Sequence, residues 1–315
     1  MRSAVVQPSG ELELSDLPDP VAGPGQVVVE TEAIGAGFVD VMLRRGEYLG
    51  TPATGAVPGV EVVGEVRSAG PDVPDHLVGR RVLALPSFGG YADLVVADAG
   101  RVLPVPDGAD AADAVALGVN ALVAEIALGR AGVKAGDRAL VRGASGGIGV
   151  LATQIAAARG AEVTAVTSSA AWGERLRTLG AGLIIDRTAD VVPEREYDVV
   201  VDTVAGPGVV PYVESLRDNG RYVLCGGAGG LPSPEFFPAL LRRFHTSPTL
   251  VAFSLNSVAS DDLQTSWQAI VSLWTQGSLS PVVDRRFPLS KAPQALRLLE
   301  RGGLFGKVVL APKVA

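Results

Sequence analysis

Residues 138–149, RALVRGASGGIG, constrain the fold more than any other stretch of this chain. Apolar residues run into a turn of small residues, then straight into a second apolar stretch, VLATQIAAARG. That order predicts strand, tight turn and helix. The spacing Ala144-x-Gly146-x-x-Gly149 is a dinucleotide-binding fingerprint with alanine in the first glycine position. Glycine at 146 lets backbone approach a pyrophosphate, and glycine at 149 lets the helix pack closely on its strand. Phosphates would rest on unpaired N–H groups at the helix N-terminus, where the macrodipole is positive. Such a turn alone also fits close packing with no ligand. A second strand at the right distance, 161–167, favours the ligand.

The end of that second strand bears on which dinucleotide is bound. An NAD site usually has Asp or Glu there, accepting from the ribose hydroxyls. This chain has Thr167, Ser168 and Ser169. No carboxylate would repel a 2′-phosphate, and hydroxyls can donate to one. Arg175 and Arg177, on the helix that follows, are candidate counter-charges. This reading favours NADPH over NADH. The serines also fit a plain helix N-cap, and each arginine a solvated face.

At 315 residues the chain can form two domains, each with its own core. A net charge of −7 argues against a nucleic-acid partner and against an anionic membrane surface. The single cysteine, Cys225, allows no intrachain disulfide, which suits a reducing compartment, so a cytoplasmic location is expected. The opening MRSAVVQPSG has too short an apolar run for a signal peptide. No stretch of about 18 residues is uninterruptedly apolar, so no membrane span is expected.

Residues 1–118 predict short strands punctuated by Gly and Pro, at 4–7, 12–14, 26–33, 57–66, 81–85, 92–96 and 102–104. That is a small, mainly antiparallel β domain. One helix interrupts it at 38–45, where Asp40 and Arg44 stand at the spacing of a local ion pair. A long helix over 110–130 leads into the fingerprint. Strands then alternate with crossovers, at 138–141, 161–167, 182–185, 198–204, 221–225 and 250–254, which predicts an α/β doubly wound parallel (Rossmann) sheet. After Ser260 come a helix (261–276), a strand (282–287), a helix (291–301) and a strand (307–310). These predict a return to the first domain. The expected division is therefore 1–118 with 261–315, and 119–260, with the cleft between them facing the C-terminal ends of the parallel strands.

A metal site needs a cluster of Cys, His, Asp or Glu at workable spacing. One cysteine and two histidines, His76 and His245, supply none. There is no G-x-S-x-G elbow for a serine nucleophile. Hydride transfer needs neither, because the nicotinamide carries the chemistry and the protein supplies position, dryness and a few donors. A quinone or an enone would suit such a site. Each accepts hydride conjugately and leaves an oxyanion that a hydrogen-bond donor can stabilise.

Several segments resemble the medium-chain dehydrogenase/reductase superfamily, and within it the zinc-free quinone oxidoreductase (zeta-crystallin-like) and enoyl reductase branch. They are GFVDVMLRRGEY (37–48), VPGVEVVGEV (57–66), GGYADLVVA (89–97), RGASGGIG (142–149), VDTVAG (201–206), GRYVLCGGAGG (220–230) and GGLFGKVVL (302–310). The resemblance implies a GroES-like first domain. It also implies that Ala144, Ser145, Gly146, Gly147 and Ile148 line the pyrophosphate. Ser168 and Ser169 would meet the 2′-phosphate, Thr167 and Arg175 are further candidates on the cofactor side, and Asn120 would face the nicotinamide. Val204, Gly226, Gly227, Phe253, Ser254 and Leu255 would flank the cofactor. Gly37, Asp40 and Tyr48 fall on the substrate side, with Tyr48 the candidate for influencing protonation; its other reading is an aromatic packed at the domain seam. In zinc-dependent relatives the ligands would fall on Gly37 and Val60, so no zinc is expected. Two departures stand out: Gly37 where the branch usually has Asn, and Trp172 where it often has Lys.

The leading reading is a zinc-independent, NADPH-dependent reductase of a small hydrophobic quinone or α,β-unsaturated carbonyl. An enoyl-thioester or enone reductase within a biosynthetic pathway is the alternative. An NADPH-binding protein with little turnover is the reading from another class. Loops 46–57 and 228–240 are expected to line the substrate pocket. A homodimer, paired through the apolar edge strand 249–255, is the expected assembly.

Overall fold

The computed structural model describes residues 1–48 and 53–312. Part of the expected pocket loop, residues 49–52, lies outside them. The strands in chain order are β1 (Arg2–Val6), β2 (Leu12–Asp16), β3 (Gln26–Ala36), β4 (Val62–Ala69), β5 (Arg81–Ala84), β6 (Leu94–Asp98), β7 (Val102–Pro104), β8 (Arg138–Arg142), β9 (Glu162–Thr167), β10 (Ala181–Asp186), β11 (Tyr197–Asp202), β12 (Leu216–Leu224), β13 (Thr249–Ala252), β14 (Val283–Pro288) and β15 (Lys307–Ala311). The α-helices are α1 (Phe38–Arg44), α2 (Ala111–Arg130), α3 (Gly147–Ala158), α4 (Gly173–Thr178), α5 (Val210–Glu214), α6 (Phe236–Arg242), α7 (Ser260–Thr275) and α8 (Ala292–Arg301). The chain divides into two compact units. The first comprises Met1–Val119, Ala259–Trp267 and Pro281–Ala315; the second comprises Asn120–Val258 and Gln268–Ser280.

The first unit is built on a seven-stranded sheet, in the order β14-β15-β3-β4-β5-β7 with β6 also on β3. Its pairings are antiparallel except β14 with β15. The C-terminal strand β15 pairs with β3, from Val308 opposite Ala36 to Leu310 opposite Ile34. Valines, isoleucine and alanines of β3, β4 and β15 bury their side chains in one cluster, with Ala292, Ala295 and Leu296 of α8 packed into it. Each fully buried valine, isoleucine or leucine among them contributes about 1.5–3 kcal/mol, and each alanine less.

The second unit is a six-stranded parallel sheet in the order β10-β9-β8-β11-β12-β13. The order reverses beside β8, and that switch point is where ligands of doubly wound sheets bind. Strands β8, β9, β11 and β12 are flanked on both sides in the sheet, which explains their continuous apolar runs. Leu140, Val166, Val200, Tyr212, Leu216 and Tyr222 form part of this unit's core.

Two local expectations are corrected. Helix α2 is not one regular helix: Gly118 has φ −1° and ψ −126°. The expected Asp40–Arg44 pair does not form, because Arg44 pairs with Glu300 and donates to the Gly10 carbonyl at 3.1 Å. Periodicity locates both helices, but it cannot show that carboxylates from distant segments reach them. Helix α2 also has the length and composition of a membrane span, yet 72% of its apolar window is buried inside the protein. That is how a core helix presents itself.

Candidate active site

In the second unit the fingerprint folds as its spacing predicts. Strand β8 ends at Arg142, Gly143 turns the chain at φ +76°, and α3 starts after Gly146. The helical ladder opens with Val150 N–H donating to the Gly146 carbonyl at 3.0 Å. The N–H groups of Gly147, Ile148 and Gly149 therefore have no acceptor within the helix, which makes this end electropositive. A Cβ at Gly146 would meet only the Gly143 carbonyl, at 3.3 Å, so this glycine leaves the approach to the turn open. At Gly149 a Cβ would strike the Gly143 carbonyl and lie 2.7 Å from the Ala144 Cα; this glycine serves packing. Ser145, Gly146, Gly147 and Ile148 are partly exposed at the turn. Ala144 is fully buried, and its N–H donates to the Val166 carbonyl at 3.0 Å. Its side chain therefore supports the turn and offers no surface to a ligand.

The remaining predicted cofactor residues lie on the same unit. Strand β9 ends with Thr167, 2% exposed, whose Oγ1 accepts from Ser169 N–H at 3.3 Å. Of the three hydroxyl residues, Ser168 is exposed and Ser169 partly so. The Arg175 guanidinium lies over the Trp172 ring, 5.3 Å from its centroid. Asn120 is almost buried, and its amide occupies the space a Cβ at Gly147 would need. That contact gives the second glycine of the Gly146–Gly147 pair a reason the motif alone does not supply. Val204 and Gly226 are partly exposed beyond the ends of β11 and β12, and Gly227 is exposed with open space around it. Phe253 is buried beneath the Arg130 guanidinium, while Ser254 is exposed and Leu255 partly so.

A buried network holds the loop carrying Val204. Asp202 is fully buried; its Oδ1 accepts from the N–H groups of Val204 and Ala205 at 2.8 and 3.0 Å. Its Oδ2 accepts from Arg142 at 2.9 Å and from the Tyr222 hydroxyl. The Arg142 guanidinium lies over the Tyr212 ring at 4.4 Å. Burial, reinforced by the Asp202 charge, raises the Tyr222 phenol above its ordinary pKa, so it stays a donor. Burial and the same carboxylate push the Cys225 thiol up to about 12, leaving it a protonated, inert neighbour. The sequence placed a strand over 198–204, but the partners of its aspartate lie 20 and 60 residues away.

The first unit carries a second polar cluster around Gly37. Asp40 caps its own helix, accepting from Gly37 N–H at 2.8 Å, from Gly59 N–H at 2.8 Å and from the Tyr91 hydroxyl at 3.1 Å. It is 1% exposed. The carboxylate of this candidate substrate-side residue thus holds two backbone N–H groups and a phenol. Burial raises its pKa to about 6, against the lowering effect of the Gly37 and Gly59 N–H groups and Lys307. Tyr91, fully buried beside it, is raised well above its ordinary value, chiefly by burial. Glu61, also fully buried, pairs with Lys307 and accepts from Val119 N–H at 2.7 Å. The break at Gly118 accommodates that carboxylate: a Cβ there would collide with Glu61 Oε2. Tyr48 is partly exposed and packs edge-on against Phe88, with ring centroids 5.8 Å apart. Lys307 was the unrecognised member of this cluster. Its signal was a lone lysine inside the apolar run LFGKVVL.

These residues do not fit a metal. Gly37 and Val60, where zinc ligands would fall, offer no donor atom, and the Glu61 carboxylate is engaged by an ammonium and an N–H group. Among the described residues no group of three or more His, Cys, Asp or Glu could hold one. The helix end at Gly146 and the hydroxyl-lined end of β9 do fit a dinucleotide phosphate. A doubly wound sheet with such an end, in one chain with a GroES-like β unit, defines the class: a dinucleotide-dependent dehydrogenase or reductase.

The comparisons narrow that class. Residues 23–107 match the alcohol dehydrogenase GroES-like domain family, and residues 179–310 match a family described as zinc-binding dehydrogenase. The quinone oxidoreductase of Thermus thermophilus, solved with NADPH, is 32% identical, covering 99% of this chain and 100% of that one, with a TM-score of 0.82. Sus scrofa quinone oxidoreductase is 29% identical, covering 94% of this chain and 92% of its relative. The Spectinabilin polyketide synthase system protein NorB of Streptomyces orinoci is 32% identical over 310 residues, but the chain spans only 14% of its length. This chain belongs to the quinone oxidoreductase branch of the medium-chain dehydrogenase/reductase superfamily.

Proposed function

We propose that this protein is an NADPH-dependent reductase of quinones or α,β-unsaturated carbonyl compounds that works without zinc. The observation that carries the reading is the open helix end at Gly146, one strand away from a β9 terminus that ends in Thr167, Ser168 and Ser169. NADPH, when bound, supplies the hydride. The chain's own residues bind and orient. Backbone N–H groups at the start of α3 hold the pyrophosphate, and Ser168 and Ser169 donate to the 2′-phosphate. Asn120, Val204, Gly226 and Gly227 border the nicotinamide, and the Asp202 network holds the loop that carries Val204. Gly37 and Tyr48 border the acceptor.

NADPH consumption by the EDTA-treated protein, with a quinone and an acyclic enone side by side, tests this. We expect turnover with at least one acceptor and a lower KM for NADPH than for NADH. No turnover with either, alongside tight NADPH binding, would favour a binding protein with little activity. Ser168→Glu places a carboxylate at the exposed hydroxyl and should weaken NADPH binding by about tenfold or more while sparing NADH, since each tenfold is about 1.4 kcal/mol. Enone preference over quinone favours the biosynthetic alternative, which the likeness to a polyketide synthase segment supports.

The assembly we propose is a homodimer through β13. That strand ends the parallel sheet, and Phe237, Phe244 and Leu250 near it in sequence are 63%, 79% and 43% exposed. An unpaired edge with large apolar side chains favours pairing with a copy of itself. A monomer mass by light scattering at micromolar concentration would overturn this.

A further inference from the structure

Lys307 is an unusual lysine. It is 4% exposed, is the first residue of β15, the strand between β14 and β3, and pairs with the fully buried Glu61. An ammonium has three N–H donors. Among the described residues, Glu61 is the only hydrogen-bond acceptor that Lys307 Nζ meets. A buried cation with donors to spare is costly unless something completes its shell.

The open side is at Gly37. A Cβ built there would stand 3.8 Å from Lys307 Nζ and 4.0 Å from Asp40 Oδ2, at ordinary van der Waals distance, with 3.7 Å to Val39. Gly37 is extended, at φ −135° and ψ 170°, so nothing in the backbone demands glycine. It is also partly exposed, whereas Lys307 is not. The missing side chain leaves room for a methyl-sized group beside the ammonium, at a position that is itself partly exposed. Asp40 accepts from Gly37, Gly59 and Tyr91, and among the described residues Lys307 Nζ makes no hydrogen bond to it.

We propose that the Lys307 ammonium, reached through the space Gly37 leaves, is the hydrogen-bond donor to the substrate oxygen on which negative charge develops. Glu61 holds the ammonium in place and keeps it paired when no substrate is bound. In the reduction, hydride adds to the β-carbon, the π electrons move to the carbonyl oxygen, and a proton from water then completes the product. The oxyanion meets a fixed cation in a water-poor recess, where a charge-assisted hydrogen bond is stronger than in solvent. The role rests on the reductase reading above, but its main test does not need turnover.

The probe is 4-nitrophenol, whose phenolate mimics the developing oxyanion and absorbs apart from the phenol, with 4-nitroanisole as its neutral counterpart. Both are titrated into the full-length protein loaded with NADPH. The wild type should bind phenolate at least about tenfold more tightly than the anisole and lower the apparent pKa of bound nitrophenol by about one unit. Gly37→Val fills the recess and leaves the Lys307–Glu61 pair intact. The double variant Lys307→Met/Glu61→Gln removes both charges together, so no lone charge is buried. Each should abolish the phenolate preference with NADPH affinity unchanged. The double variant should still bind the anisole, and its kcat should fall more than its KM rises. A wild type that does not prefer the phenolate, or a double variant that keeps the preference, overturns the proposal. Phenolate preference in a wild type that reduces no acceptor would instead sink the reductase reading and leave the anion site standing.

Discussion

The two units each bury a carboxylate against a cation, and the two arrangements differ in how many donors the carboxylate collects and in what borders the cation. In the second unit Asp202 accepts from four donors, and its partner Arg142 is also covered by the Tyr212 ring. That network ties down the backbone of the loop carrying Val204 and Ala205. In the first unit Glu61 and Lys307 are as deeply buried, but the lysine retains donors and borders a glycine with room beside it. Similar chemistry thus serves two ends. A buried carboxylate that collects backbone donors makes scaffold, and a buried cation bordered by a partly exposed glycine makes a candidate site.

The comparison can be broken most severely at Asp202. Asp202→Ala leaves Arg142 buried without its partner and should cost about 3–5 kcal/mol of stability, read as a lowered urea midpoint, with weakened NADPH binding. The pH dependence of the first unit comes next. Asp40, with its folded pKa raised to about 6 from 3.8, favours the folded state most below pH 4, and that contribution is lost as pH rises through 6. The shift corresponds to about 3 kcal/mol across that window. Relative to wild type, Asp40→Asn should therefore gain stability between pH 4 and 6.5. A difference that stays flat would show that Asp40 is not held protonated. The two fingerprint glycines separate packing from binding. Gly149→Ala should destabilise by about 1–3 kcal/mol through collision with the Gly143 turn. Gly146→Ala should fold normally and lose NADPH affinity. The smallest effect belongs to an exposed pair: Glu174→Ala removes its contact with Arg177 on α4 and should change stability by less than about 0.5 kcal/mol.

Much of the fold was legible. The run from β8 to α3 was readable because strand, turn and helix there are adjacent in sequence and each has its own local signal. The six parallel strands were found within a few residues of their ends, since each is a short apolar run bounded by turns. Several site residues were legible in kind but not in role. Ala144 is buried, Asp40 accepts from the Gly37 N–H, and Thr167 accepts from the Ser169 N–H. A motif gives residue type and spacing; it does not give the direction of a side chain.

The sequence by itself determined that the chain alternates strand and helix after residue 138, that a glycine turn opens α3, and that the end of β9 carries hydroxyls instead of a carboxylate. These follow from periodicity and from residues within a few positions of one another. Only the tertiary structure decided that Lys307 meets Glu61 across 246 residues, that the Glu61 carboxylate accepts the N–H next to the break at Gly118, and that Gly37 leaves space beside that lysine. The physical reason is that a buried charge is tolerated only with a partner, and the partner is chosen by sheet register and packing, which no local pattern encodes.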